Sequence, residues 1–126
     1  MRILVIEDEA ALREQVVERL SGEGYTVDAS GDGKEGLFLA SEYPLDLAII
    51  DLGLPGLPGL EIIRKLRADG ATLPILILTA YDFAEAEEVA QYRPNLFLKK
   101  PFDVETLIGK ANRLIGREPA GGRVDS

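Results

Sequence analysis

The chain has 126 residues, 46% hydrophobic and 29% charged, which suits a single globular domain and excludes a disordered, collagen-like or coiled-coil chain. Its net charge of −8 repels a phosphate backbone, so direct nucleic-acid binding is not expected. With no cysteine and no histidine there is no disulfide, thiolate nucleophile, imidazole base or cysteine–histidine zinc site, and any metal must be a hard cation held by oxygens.

Five short apolar runs of strand length follow one another: Ile3 to Ile6, Tyr25 to Ala29, Leu47 to Ile50, Ile75 to Leu78 and Leu96 to Leu98. Three are apolar without interruption, as strands buried on both faces should be. Between them Leu12, Val16 and Leu20 recur at helical spacing, as do Leu60, Ile63 and Leu66, and Leu107, Ala111, Leu114 and Ile115 mark a last amphipathic helix. Leu37 and Phe38 suggest a short helix, and Phe83, Ala86 and Val89 a weakly apolar one. Gly22 and Gly24 close the first helix, and Ser30-Gly31-Asp32-Gly33 is a turn. The alternation predicts a parallel sheet covered on both faces, a flavodoxin-like (βα)5 three-layer α/β sandwich with strand order 2-1-3-4-5. Residues 1–116 form this domain, and the glycine-rich stretch 117–126 reads as a flexible tail or a truncated linker. No apolar run is long enough to span a membrane, and no signal-like segment precedes Glu7, so the reading is cytoplasmic.

The chemistry stands where the runs end. Ile6 is followed by Glu7-Asp8-Glu9, Ile50 by Asp51, Leu78 by Thr79, and Leu98 by Lys99-Lys100. Ligands of open parallel sheets bind outside the carboxyl ends of the strands, where the strand order reverses. Order 2-1-3-4-5 makes the first and third strands neighbours, so Glu7, Asp8 and Asp51 converge and repel one another unless a cation lies between them. Mg²⁺ fits that need, Thr79 offers a hydroxyl to a phosphoryl oxygen, and Lys100 offers an ammonium. Taken singly, each residue has a plainer role: Asp8 a helix cap, Glu7 a solvated neighbour, Asp51 a turn residue, Thr79 a loop or capping residue, Phe97 core, Lys100 a snorkelling side chain. Those plain roles would have to coincide at four strand ends. Lys99 alternates away from Lys100 and reads as a surface charge.

With Glu7-Asp8, Asp51-Leu52-Gly53-Leu54-Pro55-Gly56, Gly59-Leu60-Glu61, Thr79-Ala80 and Lys100-Pro101-Phe102, the chain resembles the receiver domain of two-component response regulators over about residues 2–116. Its first two-thirds is most similar to the OmpR/PhoB class, whose members usually carry a DNA-binding domain that this chain does not contain. The resemblance implies that Asp51 accepts a phosphoryl group from a phosphohistidine on a sensor histidine kinase. It implies that Asp8, Asp51 and the Gly53 carbonyl bind Mg²⁺, with Glu7 acting through a bound water. Lys100 would neutralise the phosphoaspartate, Thr79 would swing to bond it, and Phe97 would rotate in response. The Lys100–Pro101 peptide should be cis. Such a domain catalyses its own phosphorylation and autodephosphorylation and is not an enzyme acting on a separate substrate.

The output, transcription through the absent domain, would follow a change in the face built from the fourth helix, the fifth strand and the last helix. That face also implies a homodimer. Here Tyr92-Arg93-Pro94-Asn95 stands where the class carries a Gly-Ala pair and two acidic residues, and Glu85, Glu87 and Glu88 make the fourth helix unusually acidic, so the dimer's salt bridges lose their usual partners. Kinase contacts are expected from the first helix, at Arg13, Gln15, Val16 and Arg19. Gly53 and Tyr81 flank the site and are expected to tune the phosphoaspartate lifetime. A pseudo-receiver that signals by constitutive contact is the alternative. A phosphatase using an aspartyl-phosphate needs a second carboxylate two residues after Asp51, and Gly53 stands there.

Overall fold

A computed structural model describes residues 1–80 and 96–116. The uninterrupted apolar runs take the inner positions of the sheet: β1 (Arg2–Ile6), β3 (Leu47–Asp51) and β4 (Ile75–Thr79). Every residue of β3 and β4 is buried, as is β1 beyond Arg2. The mixed sequences, β2 (Thr26–Ser30) and β5 (Leu96–Lys99), form the edges of a parallel sheet in order β2-β1-β3-β4-β5. The predicted strand order is therefore observed, and each predicted strand lies within one or two residues of its place.

Because alternate residues of a strand face opposite sides, the sheet feeds two cores. Ile3, Val5, Ile49, Leu76 and Leu78 pack with Val16 and Leu20 of α1 (Ala10–Gly22) and with Leu107, Ile108 and Ala111 of the C-terminal helix (Val104–Ile115). On the other face Leu4, Ile6, Ala48, Ile50, Ile75 and Ile77 pack with Ile62, Ile63 and Leu66 of α3 (Gly59–Ala68). Removing each such side chain from water contributes roughly 1.5–3 kcal/mol. This holds the strand ends rigid enough to carry a site.

Helix α2 (Gly33–Glu42) is more ordered than its sparse apolar pattern suggests. The Asp32 carboxylate caps it, accepting the N–H groups of Lys34 and Glu35 at 3.0 Å each. It rests on the sheet through Gly36, where a Cβ would lie 2.6 Å from Ile6 Cδ1, and on the loop after β3 through Gly33, which abuts the Leu57 backbone. Leu37 packs inward, but Phe38 is 60% exposed. The C-terminal helix starts at a side-chain cap, Asp103, and is tied to α1 by a bidentate pair, Arg19 Nε and Nη2 to the Glu105 carboxylate at 2.6 and 2.7 Å. The segment that follows α1 is tied to the C-terminal helix as well, where the Tyr25 hydroxyl donates to Asn112 Oδ1 and Asn112 Nδ2 donates to Glu23 Oε1 at 3.2 Å. The helix predicted around Phe83–Val89, with Tyr81, Glu85, Glu87, Glu88 and Tyr92–Asn95, lies outside the described residues, as does the stretch 117–126. No helix among the described residues is long and apolar enough to cross a membrane.

Candidate functional site

Sheet register brings the acidic residues together. Ile6 pairs with Ile50, so Glu7 and Asp8 leave β1 beside Asp51 at the end of β3. Thr79 ends β4 opposite Lys99, and the Lys100 N–H donates to the Thr79 carbonyl at 2.8 Å, fixing the fourth and fifth strand ends to each other. The Lys100–Pro101 peptide is cis, as expected. Beside these groups a cleft of about 380 Å³ opens between Glu9, Leu12, Ala80, Lys100, Pro101 and Phe102.

Carboxylate oxygens of Glu7, Asp8 and Asp51 lie within 4.8 Å of one another. No other such group of three occurs among the described residues. Glu7 is fully buried, not a solvated neighbour. Its Oε2 accepts the Glu9 N–H at 2.9 Å, and its Oε1 has no aligned hydrogen-bond donor, although Lys100 Nζ stands 2.8 Å away as an ion pair. Asp51 is also buried, with Oδ1 accepting the Gly53 N–H at 2.9 Å and Oδ2 accepting Lys100 Nζ at 2.9 Å. Lys100 therefore bridges two carboxylates. Asp8 is exposed and is not the cap of α1: that position falls to Glu9, whose side chain makes no capping bond.

Burial, with the neighbouring negative Asp51, pushes the Glu7 carboxyl up to about 7 against the opposing pull of Lys100 and the Glu9 N–H. Partial burial works against the Lys100 ammonium, but its bonds to Glu7 and Asp51 outweigh this and hold it above the ordinary lysine value. Three carboxylates against one ammonium leave residual negative charge facing an oxygen-only donor set. A hard divalent cation such as Mg²⁺ suits that set of buried and exposed carboxylate oxygens.

Thr79 is buried at the end of β4. Phe97 is half-buried on β5, packed against the core that holds Leu4 and Ile6. Gly53 is exposed, and a Cβ there would stand 3.8 Å from Asp51 Oδ1, with room for a side chain beside the carboxylate. Lys99 points to solvent, as its alternation predicts.

Two expectations need correction or addition. Val16, a candidate kinase contact, is fully buried, because the residue that continues the α1 stripe faces the sheet and not a partner. Arg13 and Arg19 are already engaged, the first through Nη1 to the Glu7 carbonyl at 2.8 Å and the second to Glu105, whereas Gln15 is exposed. The Arg13 contact and the buried Ser30 carbonyl, which accepts the Glu7 N–H at 3.0 Å, belong to the site but carry no spacing signal. Side-chain and backbone contacts across elements leave no mark in sequence periodicity.

Comparison with known proteins agrees with this arrangement. Residues 3–112 match the family described as the response regulator receiver domain. The two-component response regulator PhoP of Pseudomonas aeruginosa is 46% identical over 118 residues, covering 93% of this chain and 52% of that protein. The transcriptional regulatory protein PhoP of Escherichia coli K12 is 37% identical, covering 93% of this chain and 53% of its own length. The chain thus spans about half the length of these curated relatives, which are regulators of the OmpR/PhoB class. Among solved structures, the receiver domain of Francisella response regulator 1452 superposes with a TM-score of 0.85 at 29% identity, covering 91% of this chain and 96% of that one. The response regulator TrrA of Thermotoga maritima, solved with Mg²⁺ and BeF, superposes with a TM-score of 0.80 at 33% identity, covering 90% of this chain and 97% of its own. With its strand order, its carboxylates at the first and third strand ends and its lysine at the fifth, this chain belongs to the response regulator receiver domain family.

Proposed function

We propose that residues 1–116 are the cytoplasmic phosphoacceptor domain of a two-component switch, and that 117–126 are a tail or a truncated linker. Asp51 is the acceptor. One of its carboxylate oxygens attacks the phosphorus of a phosphohistidine on a sensor histidine kinase; the new O–P bond forms as the P–N bond breaks, and the imidazole nitrogen leaves with the electron pair. Asp8, Asp51 and the Gly53 carbonyl would hold Mg²⁺, with Glu7 acting through a bound water, and the bound ion would supply positive charge against the phosphoryl oxygens. Lys100 pairs with the phosphoaspartate, and its present position against Asp51 Oδ2 leaves it one bond from that role. Thr79 donates its hydroxyl to the new group and draws the following loop inward, while Phe97 turns into the space vacated and alters the surface around β5. The same pocket later admits water to hydrolyse the acyl phosphate. The domain thus acts only on itself.

The observation that carries this reading is the Lys100 ammonium seated between Glu7 and Asp51, at 2.8 and 2.9 Å, with the Asp8 carboxylate grouped beside them. The test is intact mass after incubation with Mg²⁺ and acetyl phosphate. One phosphoryl group added to the parent, absent in Asp51→Asn and absent with a chelator, is the expected result. No addition under any condition makes the chain a pseudo-receiver that works by constitutive contact.

A further inference from the structure

The turn Ser30–Gly33 between β2 and α2 carries no group that the phosphoacceptor reading uses, yet it touches both loops that hold the carboxylate site. On one side the Ser30 carbonyl accepts the Glu7 N–H at 3.0 Å. The Glu7 carbonyl in turn accepts Arg13 Nη1 at 2.8 Å, and that guanidinium lies over Gly31, where a Cβ would be 2.6 Å from Nη1. On the other side the Gly33 N–H donates to the Pro55 carbonyl at 3.1 Å. A Cβ at Gly33 would fall 1.9 Å from the Leu57 carbonyl oxygen and within 3 Å of that residue's backbone carbon and nitrogen. Gly56, with φ +81°, leaves just enough room for the Asp32 carboxylate, since a Cβ there would be 2.3 Å from Asp32 Oδ1. The turn is also braced internally: Ser30 Oγ accepts the Asp32 N–H at 3.1 Å and lies 2.6 Å from Glu35 Oε1.

We propose that Ser30–Gly33 is a positioning brace that sets the separation between the Glu7–Asp8 loop and the Asp51–Gly53 loop, and so sets the affinity of the site for a divalent cation. The inference rests on the metal-binding reading above. The segment Leu52–Pro58 is short and closed on itself, because the Gly59 N–H bonds the Leu52 carbonyl at 3.2 Å. A push at Leu57 therefore reaches Gly53 within a few residues, and Gly53 donates to Asp51 Oδ1 and, in the metal-binding reading, would offer its carbonyl to the ion. Close-packed backbone has little slack to absorb a methyl group. Groups behind a metal's own ligands typically change affinity 10–100-fold when altered.

The two glycines predict graded effects. At Gly33 an added methyl meets backbone, and the loop after β3 must move. At Gly31 it meets the far end of a flexible side chain, and Arg13 can swing aside at the loss of its bond to Glu7. Gly109, on the exposed side of the C-terminal helix with nothing within 4 Å of its Cβ position, serves as the control.

The experiment measures Mg²⁺ dissociation constants by calorimetric titration on the full chain and its Gly33→Ala, Gly31→Ala, Arg13→Leu and Gly109→Ala variants, with far-UV circular dichroism and Tm recorded alongside. Gly33→Ala is expected to bind at least tenfold more weakly at unchanged secondary structure. Gly31→Ala and Arg13→Leu should bind severalfold more weakly, and Gly109→Ala like the parent. A Gly33→Ala protein that is folded, has a lower Tm and binds Mg²⁺ like the parent would show that the turn is structural only, and overturns the brace. If Gly33→Ala does not fold, Gly31→Ala and Arg13→Leu decide, and parental affinity in both overturns it. A parent chain that binds no Mg²⁺ overturns the metal reading itself and the brace with it.

Discussion

Glu7 has exchanged water for a pocket in which its charged form is disfavoured, and its carboxyl is raised to about 7. Between the ordinary carboxylate value and 7 the folded chain holds a proton that the unfolded chain has released, so metal-free stability falls as pH rises through that window. A bound cation requires the carboxylate. Mg²⁺ affinity is therefore expected to weaken as pH drops through 7, by about tenfold per unit in the limit of one competing proton. Titrations at pH 6 and pH 8 check this, and Glu7→Gln should flatten the difference. Gly53 offers a second residue-scale prediction. Its Cβ position stands 3.8 Å from Asp51 Oδ1 and opens to solvent, so Gly53→Asn or Gly53→Lys places a polar group beside the path of an attacking water. The half-life of the phosphorylated protein should change severalfold, and an unchanged decay rate removes Gly53 as a tuning position. Tyr81, the other tuning candidate, lies outside the described residues.

Elements act here through their ends. Buried strands terminate at the same edge, and each delivers polar side chains because the apolar run stops there. Helices are joined differently: α1 and the C-terminal helix share the exposed Arg19–Glu105 pair, and the segment that follows α1 adds the buried Tyr25–Asn112–Glu23 network. The two links are not equal. Solvent screens the first, and Arg19→Ala should leave the Tm nearly unchanged. Tyr25→Phe leaves Asn112 Oδ1 without its donor in a residue that is 2% exposed, which should cost about 1–3 kcal/mol in urea denaturation. The C-terminal helix borders the surface expected to change on phosphorylation, so this network ties that surface to α1.

The molecule as a whole carries a charge of −8, and part of it is concentrated in the carboxylate pocket. Cation binding should therefore stabilise the entire fold. At a free Mg²⁺ concentration one hundred times Kd, mass action adds about 2.7 kcal/mol, visible as a higher Tm. Asp8→Ala should abolish that rise, because Asp8 is the exposed member of the group and contributes nothing to the core. The relatives at 46% and 37% identity are about twice as long as this chain.

Strand positions were legible in the sequence because a strand buried on both faces must be apolar along its whole length, and β1, β3 and β4 are. The residues after each run were legible for the same reason, since a polar side chain marks where burial stops. Convergence of Glu7, Asp8, Asp51, Thr79 and Lys100 followed once the strand order was assumed. Helix α2 was harder to read, because glycine contacts and a side-chain cap, not an apolar stripe, seat it on the sheet. Val16 faces the sheet and not a docking surface, because it is the central residue of the Leu12–Val16–Leu20 stripe. The order of elements and the chemistry of the strand ends are both written in local polarity along the chain. The folded chain adds that Lys100 spans two carboxylates, that Glu7 is buried and its carboxyl raised, and that the turn at Ser30–Gly33 contacts both loops. Those facts depend on distances between residues far apart in the chain, and local pattern does not encode distance.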